Sequence, residues 1–194
     1  MPTALLVIDP QKIYTDEESE MYCTDAAATV DRINSLIDAF SKRNLPIFFC
    51  RHVHRADGSD LGRMFDYLGE AAEDFNFKDG SEEVEYDARL TQPLRARHFT
   101  KNRYSAFVET PLSTLLDEAN VDTLVICGFM TNFCCDSTAR EAHDRDYFVD
   151  FVVDATGTPG TETLDENEIR EVVSDLLGEG YARVVTTAEL LHAL

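Results

Sequence analysis

A chain of 194 residues, 44% hydrophobic and 10% aromatic, has enough apolar material for one domain with a sizeable core and is too short for two full ones. Its 37 acidic against 17 basic residues give a formal net charge of −20, which repels phosphate backbones and anionic bilayers and excludes nucleic acid and membrane surfaces as partners. No apolar run approaches the ~18 residues of a membrane span, and five irregularly spaced cysteines (Cys23, Cys50, Cys127, Cys134, Cys135) indicate reduced thiols in a cytoplasmic protein rather than a disulfide framework.

The first apolar run, Ala4 to Ile8, reads as a buried strand and not as a secretory leader, because no basic segment precedes it. It stops abruptly at Asp9, in Ile8-Asp9-Pro10-Gln11. Ala26 to Lys42 is an amphipathic helix with Val30, Ile33, Leu36, Ile37 and Phe40 at helical spacing, and Pro46 to Arg51 is the second strand. Residues 53–95 are irregular and rich in Gly and Asp, with a short helix expected near Leu61 to Leu68; so long a connection in a compact domain is where substrate specificity is expected. A short strand, Arg97 to Thr100, runs into Lys101. Leu112 to Asn120 is a helix leading into the strand Val121 to Cys127, which Gly128 should break. Thr131 or Asn132 should cap the following helix, Asn132 to Arg145. A strand at Tyr147 to Val153, a helix at Asp165 to Leu177 stopped by Gly178 and Gly180, a strand at Ala182 to Val185 and a helix at Ala188 to Leu194 complete the chain. The alternation predicts an α/β fold: a Rossmann-like, three-layer α/β/α single domain over residues 1–194, with a mostly parallel sheet of about six strands.

Cys134 stands out because it follows a strand end directly, in the first turn of a predicted helix. Helix dipole and unpaired N–H groups there should lower its pKa and enrich the thiolate. A buried cysteine is also an ordinary packing residue, Asp9 can simply start a turn with Pro10, and an isolated Lys101 would normally be a solvated charge. Taken together they form a pattern: a carboxylate, an ammonium and a thiol, each at the carboxyl end of a strand, which right-handed crossovers bring to one sheet edge. A carboxylate beside a thiol can act as general base, and an ammonium stabilises both anions.

Three ordered motifs carry a resemblance: Val-Ile-Asp9-Pro-Gln, Lys101-x-Arg-Tyr-Ser-Ala-Phe, and Gly128-x-Met-Thr-Asn-x-Cys134-Cys-x-x-Thr-Ala-Arg. From Leu5 to about Ala188 the chain resembles the isochorismatase-like cysteine hydrolase superfamily, which includes nicotinamidases and N-carbamoylsarcosine amidases. The resemblance implies a catalytic triad of Asp9, Lys101 and Cys134, a cis peptide at Phe129-Met130, and an oxyanion hole from the backbone N–H groups of Met130 and Cys134. It implies hydrolysis of an amide, ureide or carbamoyl C–N bond of a small molecule through a thioester. The alternatives are a vinyl-ether hydrolase of the same fold, which tends to lack the cysteine, and a non-enzymatic binding protein; a thiol redox role for Cys134 and Cys135 lacks the Cys-x-x-Cys spacing. Gln11, Tyr14, His52, Phe107, Phe129 and Phe133 are candidate pocket residues, with Arg51 and Arg55 at the entrance or at loop ends. Nicotinamidases carry Asp-x-His after strand two and a later histidine that together hold a divalent metal. Here the matching positions are His52-Val-His54, an i, i+2 pair that could still bind zinc, but no carboxylate or third ligand is evident, so no metal and no cofactor are expected. The expected partners are a small-molecule substrate and further copies of the chain, as a dimer or tetramer.

Overall fold

The computed structural model describes residues 2–65 and 74–194. Six strands, β1 (Thr3–Ile8), β2 (Ile47–His52), β3 (Arg97–Lys101), β4 (Thr123–Phe129), β5 (Phe148–Gly157) and β6 (Arg183–Val185), form one sheet in the order β3-β2-β1-β4-β5-β6. Every pairing is parallel. Parallel strands need crossovers, and those place helices on both faces. This explains why β1 is apolar from Ala4 onward: Leu5 and Val7 face one core, and Ala4, Leu6 and Ile8 face the other. Helices α2 (Ala26–Lys42) and α6 (Thr187–Ala193) cover the first face through Ile33, Leu36, Ile37 and Leu190, beside the single turn α1 (Lys12–Thr15). Helices α3 (Leu112–Glu118), α4 (Asp136–Asp144) and α5 (Glu166–Gly178) cover the second through Leu116, Ala139, Ile169 and Leu177. The result is the expected three-layer α/β/α arrangement. Among the described residues, no helix is long and apolar enough to cross a membrane.

Several boundaries differ from the sequence reading for identifiable reasons. Gly128 does not end β4; the strand passes through it to Phe129. Gly128 has φ +121°, and a Cβ there would lie 1.9 Å from the Ile8 carbonyl oxygen. The glycine is therefore what lets β4 run against β1 at its carboxyl end. Beyond Ile126 the register with β5 shifts, so that Gly128 pairs with Thr156 and β5 extends to Gly157, past the predicted end at Val153. Neither Thr131 nor Asn132 caps a helix. Residues Thr131–Cys135 form a π-helical turn ahead of α4, and the Thr131 hydroxyl donates to Thr156 Oγ1 (2.9 Å) while Asn132 Oδ1 accepts from Thr158 (2.7 Å). These two bonds staple the turn to the end of β5. Asp165 and Thr186, by contrast, cap α5 and α6 through full capping boxes with Glu168 and Glu189. The helix expected near Leu61 to Leu68 is a set of turns as far as Phe65, and its remainder lies outside the described residues.

Gly128→Ala should be among the most damaging single substitutions, because the obstructing atom is backbone and cannot rotate away. A loss of about 4 kcal/mol or more is expected in urea unfolding, or no folded protein at all. A variant that unfolds at the wild-type midpoint would contradict the close approach to Ile8.

Candidate active site

In a sheet of this order the strand sequence reverses between β1 and β4, and crevices open outside the carboxyl ends at such a point. Asp9 is the first residue beyond β1. It has φ +47°, a left-handed conformation that aspartate adopts more readily than most residues, and its N–H donates to Cys50 O (3.0 Å) while its own carbonyl accepts from Gln11 N (2.7 Å). Lys101 ends β3, two strands away from β1, a distance of about 10 Å that only a long side chain can cross. Its ammonium reaches Asp9 Oδ2 at 2.7 Å and donates to Cys134 Sγ at 3.1 Å and to Arg103 O at 3.0 Å. Cys134 is delivered by the π-turn after β4, and all three side chains are buried. The structure thus brings together the carboxylate, ammonium and thiol that the sequence placed at separate strand ends. The peptide bond between Phe129 and Met130 is cis.

Burial sets the resting protonation. Removal from water pushes the Asp9 carboxyl up, against the opposing pull of Lys101. Burial alone would lower the Lys101 ammonium, but the adjoining Asp9 and Cys134 raise it well above its ordinary value. The Cys134 thiol is pushed up to about 12 by burial, in spite of Lys101 beside it. This corrects the expectation of a thiolate enriched by the helix dipole: desolvation outweighs it, and the sulfur rests as a thiol that needs a base. The Asp9 carboxylate lies close by, with an oxygen within 4.8 Å of the sulfur and of the His52 imidazole.

The predicted pocket residues divide. Phe133 is partly exposed and packs on Tyr104 (centroids 5.2 Å), an aromatic pair at the surface, with Phe133 next to Cys134 in the chain. Tyr14 and Phe129 are buried and stacked at 5.5 Å, with Phe129 against Gly157, where a Cβ would meet its ring at 2.4 Å. Three residues need correction. Gln11 is a cross-link rather than a pocket wall, because its amide donates to His52 O and Val84 O (both 3.0 Å) and accepts from His52 N (2.8 Å). Phe107 is core, stacked on Tyr147 with the Arg145 guanidinium over its ring at 5.0 Å. His52 is not at an entrance; it is buried under Phe77, with ring centroids 4.4 Å apart. Arg51 pairs with Glu85 (3.0 Å), and the Arg55 N–H donates to Asp60 Oδ1 (2.9 Å), so both serve loop ends.

Residues that the sequence reading missed include Cys50, whose thiol donates to Asp9 Oδ1 at 3.5 Å, and Thr138, which ties two of the motifs together. The Thr138 hydroxyl donates to Cys134 O (2.6 Å) and accepts from Ala106 N (3.0 Å), so Ala106 and Thr138 serve geometry rather than chemistry. Phe75 and Phe77 were also missed, although aromatic residues alternating in an otherwise acidic stretch were a usable signal.

The divalent-metal arrangement of nicotinamidases is not matched. Among the described residues, the one group of three His, Cys, Asp or Glu side chains close enough to share an ion is Asp9, His52 and Cys134. The Lys101 ammonium already lies among these atoms, 3.4 Å from His52 Nδ1. His52 and His54 do approach through Nε2 atoms 3.0 Å apart. For both to bind an ion, His52 would have to carry its proton on Nδ1, facing the ammonium donor. His54 presents its other nitrogen, Nδ1, to Asp60 at 3.5 Å, so the two histidines and the carboxylate do not converge on one point.

Comparison with known proteins agrees with this geometry. The Isochorismatase domain family model matches residues 3–189. The chain is 31% identical to Nicotinamidase 3 of Arabidopsis thaliana, over 98% of this chain and 88% of that protein. It is 40% identical over 72 residues to the ureidoacrylate amidohydrolase RutB of Methylorubrum extorquens, a match spanning 37% of this chain and 29% of that protein. The crystal structure of a cysteine hydrolase from Pseudomonas syringae pv. phaseolicola 1448A superposes with a TM-score of 0.90 at 28% identity, covering 98% of this chain and 91% of that one. With a family model over nearly its whole length, a matching sheet and a buried cysteine beside lysine and aspartate, the chain belongs to the isochorismatase family and is one of its cysteine hydrolases.

Proposed function

We propose that the protein hydrolyses a C–N bond of a small amide, ureide or carbamoyl compound through a thioester formed on Cys134. The observation that carries this reading is the buried contact of the Cys134 sulfur with an ammonium that is itself paired to Asp9. Asp9 accepts the thiol proton as the sulfur attacks the carbonyl carbon. The resulting oxyanion is held by the N–H groups of Met130 and Cys134. In support, the amides of Phe133 and Cys135 both donate to Met130 O (3.2 and 3.1 Å), which fixes the turn on either side of Cys134. The tetrahedral intermediate collapses when Asp9 passes its proton to the departing nitrogen, releasing ammonia or an amine. Water then enters, gives a proton to Asp9 and attacks the thioester carbon. Cleavage of the C–S bond returns the proton to sulfur and releases the acid. Lys101 keeps its charge throughout and offsets, in turn, the carboxylate, the thiolate and the intermediate.

The test is a panel of small amides, ureides and carbamoyl compounds headed by nicotinamide and ureidoacrylate, the substrates that the relatives' names indicate. Intact-mass detection of an acyl adduct on Cys134 after rapid acid quench identifies the intermediate. Turnover should survive exhaustive chelation, because the ammonium takes the place of an ion. Activity lost on chelation and restored by zinc or iron would overturn the metal-free mechanism, and turnover without an adduct in single-turnover quench would overturn the thioester.

A further inference from the structure

Beyond Lys101 lies a row of polar side chains, two buried histidines and a half-buried aspartate, that the mechanism above does not use. We propose that His52, His54 and Asp60 form a brace, with His52 held as the Nε2–H tautomer, that keeps the Lys101 ammonium aimed at the Cys134 sulfur; the three are positioning residues for the reaction proposed above.

Donors and acceptors determine the proton positions. The three protons of the ammonium face Asp9, Arg103 O and Cys134 at 2.7, 3.0 and 3.1 Å, and His52 Nδ1, a fourth neighbour at 3.4 Å, can face the cation only with its lone pair, because an N–H there would meet a group with no acceptor. The single proton of neutral His52 then sits on Nε2 and donates to His54 Nε2 at 3.0 Å. His54 must in turn carry its own proton on Nδ1, which faces Asp60 Oδ1 at 3.5 Å and has no hydrogen-bond partner among the described residues. A cleft of about 340 Å³, lined in part by His54, Asp60, Lys101 and Asn102, leaves room for a bridging water at that last step. Asp60 is anchored by Arg55 N (2.9 Å) and Asn102 Nδ2 (3.1 Å), and Arg103 Nη1 binds its carbonyl at 2.9 Å. Both rings are clamped: His52 by Phe77 and by the Gln11 amide on its backbone, His54 by the edges of Phe65 and Phe75 at 5.7 and 6.3 Å. The charged groups facing the pair are Lys101, Arg103 and the Asp9 carboxylate on one side and Asp60 on the other. Burial, with Lys101 next, holds His52 well below its ordinary pKa, and burial lowers His54 against the pull of Asp60, so both rings are neutral near pH 7.

The brace matters at the moment Asp9 becomes protonated. Lys101 then loses its ion-pair partner at 2.7 Å, and its remaining acceptors are Arg103 O, His52 Nδ1 and the new thiolate. A lone pair fixed on His52 holds the ammonium beside the sulfur instead of letting it follow the lost charge.

Two measurements on the full chain decide the matter. Long-range ¹H–¹⁵N correlation of the histidine rings in the wild-type protein should show neutral His52 as Nε2–H and neutral His54 as Nδ1–H between pH 6 and 8. The opposite tautomer on either ring, or a charged ring, overturns the brace, and so does a loss of these signals' pattern caused by stoichiometric bound metal. In the second, His54→Phe, which keeps the ring stacking but removes the acceptor, should lower kcat about tenfold with KM changed less than about twofold. His54→Gln, whose amide oxygen can accept the His52 proton, should recover most of that loss. Equal losses in both variants, or none in either, also overturn the brace. If no substrate is turned over, the triad reading fails separately; the tautomers, and the rate of Cys134 alkylation in the same two variants, still test the brace.

Discussion

Cys134→Ala is expected to abolish turnover, a loss of about four powers of ten or more, whereas Cys135→Val should keep most activity. Neighbouring residues on a helical turn project about 100° apart, so the two thiols cannot share one environment. Lys101 donates to Cys134 Sγ at 3.1 Å and lowers the cost of the thiolate. Cys135 is fully buried in the helix–sheet core; burial and then the nearby Cys134 sulfur drive its thiol far above the ordinary range, with no cation offsetting them. Iodoacetamide at neutral pH should therefore modify Cys134 first. Asp9 takes the proton, because a thiol near 12 supplies little thiolate by itself. Peptide mapping of the first alkylated site, together with assays of both variants, checks this. Labelling of Cys135 first, or persistent turnover in Cys134→Ala, would show that the nucleophile is elsewhere.

Asp9→Asn should lower kcat by about three to four powers of ten with the fold intact, since the amide fills the same volume but cannot accept a proton. The same substitution should slow alkylation of Cys134, which separates loss of the base from loss of substrate binding. Lys101→Met is expected to be as damaging for a different reason. Asp9 would be left buried without its counter-charge, and its pKa, already raised by burial, would rise further until the carboxyl is neutral and unable to act as base. Removing one member of a buried pair also costs about 3–5 kcal/mol of stability, so a lower melting temperature is expected for both variants, Lys101→Met leaving Asp9 and Asp9→Asn leaving Lys101 without its counter-charge. Near wild-type rates in either folded variant would remove that residue from the mechanism.

Much of the fold was legible in the sequence because parallel strands buried on both faces write themselves as short apolar runs. Ala4–Ile8 is apolar throughout, the strand before Cys134 has its polar residues, Asp122 and Thr123, confined to its start, and the Ala26–Lys42 helix was bounded as observed by its 3.6-residue spacing. Boundaries were lost where tertiary contacts override local preference. Gly128 has the composition of a strand breaker, yet it continues β4 because only glycine fits against the Ile8 carbonyl. Thr131 and Asn132 look like helix caps, yet their side chains are taken by Thr156 on β5 and by Thr158 just after it.

The same division runs through the site. Asp9, Lys101 and Cys134 could be singled out because each lies at or shortly after the carboxyl end of a strand, and topology gathers such ends at one edge. What those residues are in the folded state was not in the sequence. A thiol at a helix start reads as acidified, and only its burial beside Lys101 shows that desolvation prevails and that a base is needed. Gln11 reads as a pocket residue until its amide is found spent on His52 and Val84. His52-Val-His54 reads as a degraded metal motif. Only the side-chain positions, with an ammonium on one face of His52 and an imidazole on the other, determine which nitrogen carries each proton, because that choice depends on donors and acceptors drawn from β2, β3 and the 53–95 segment together.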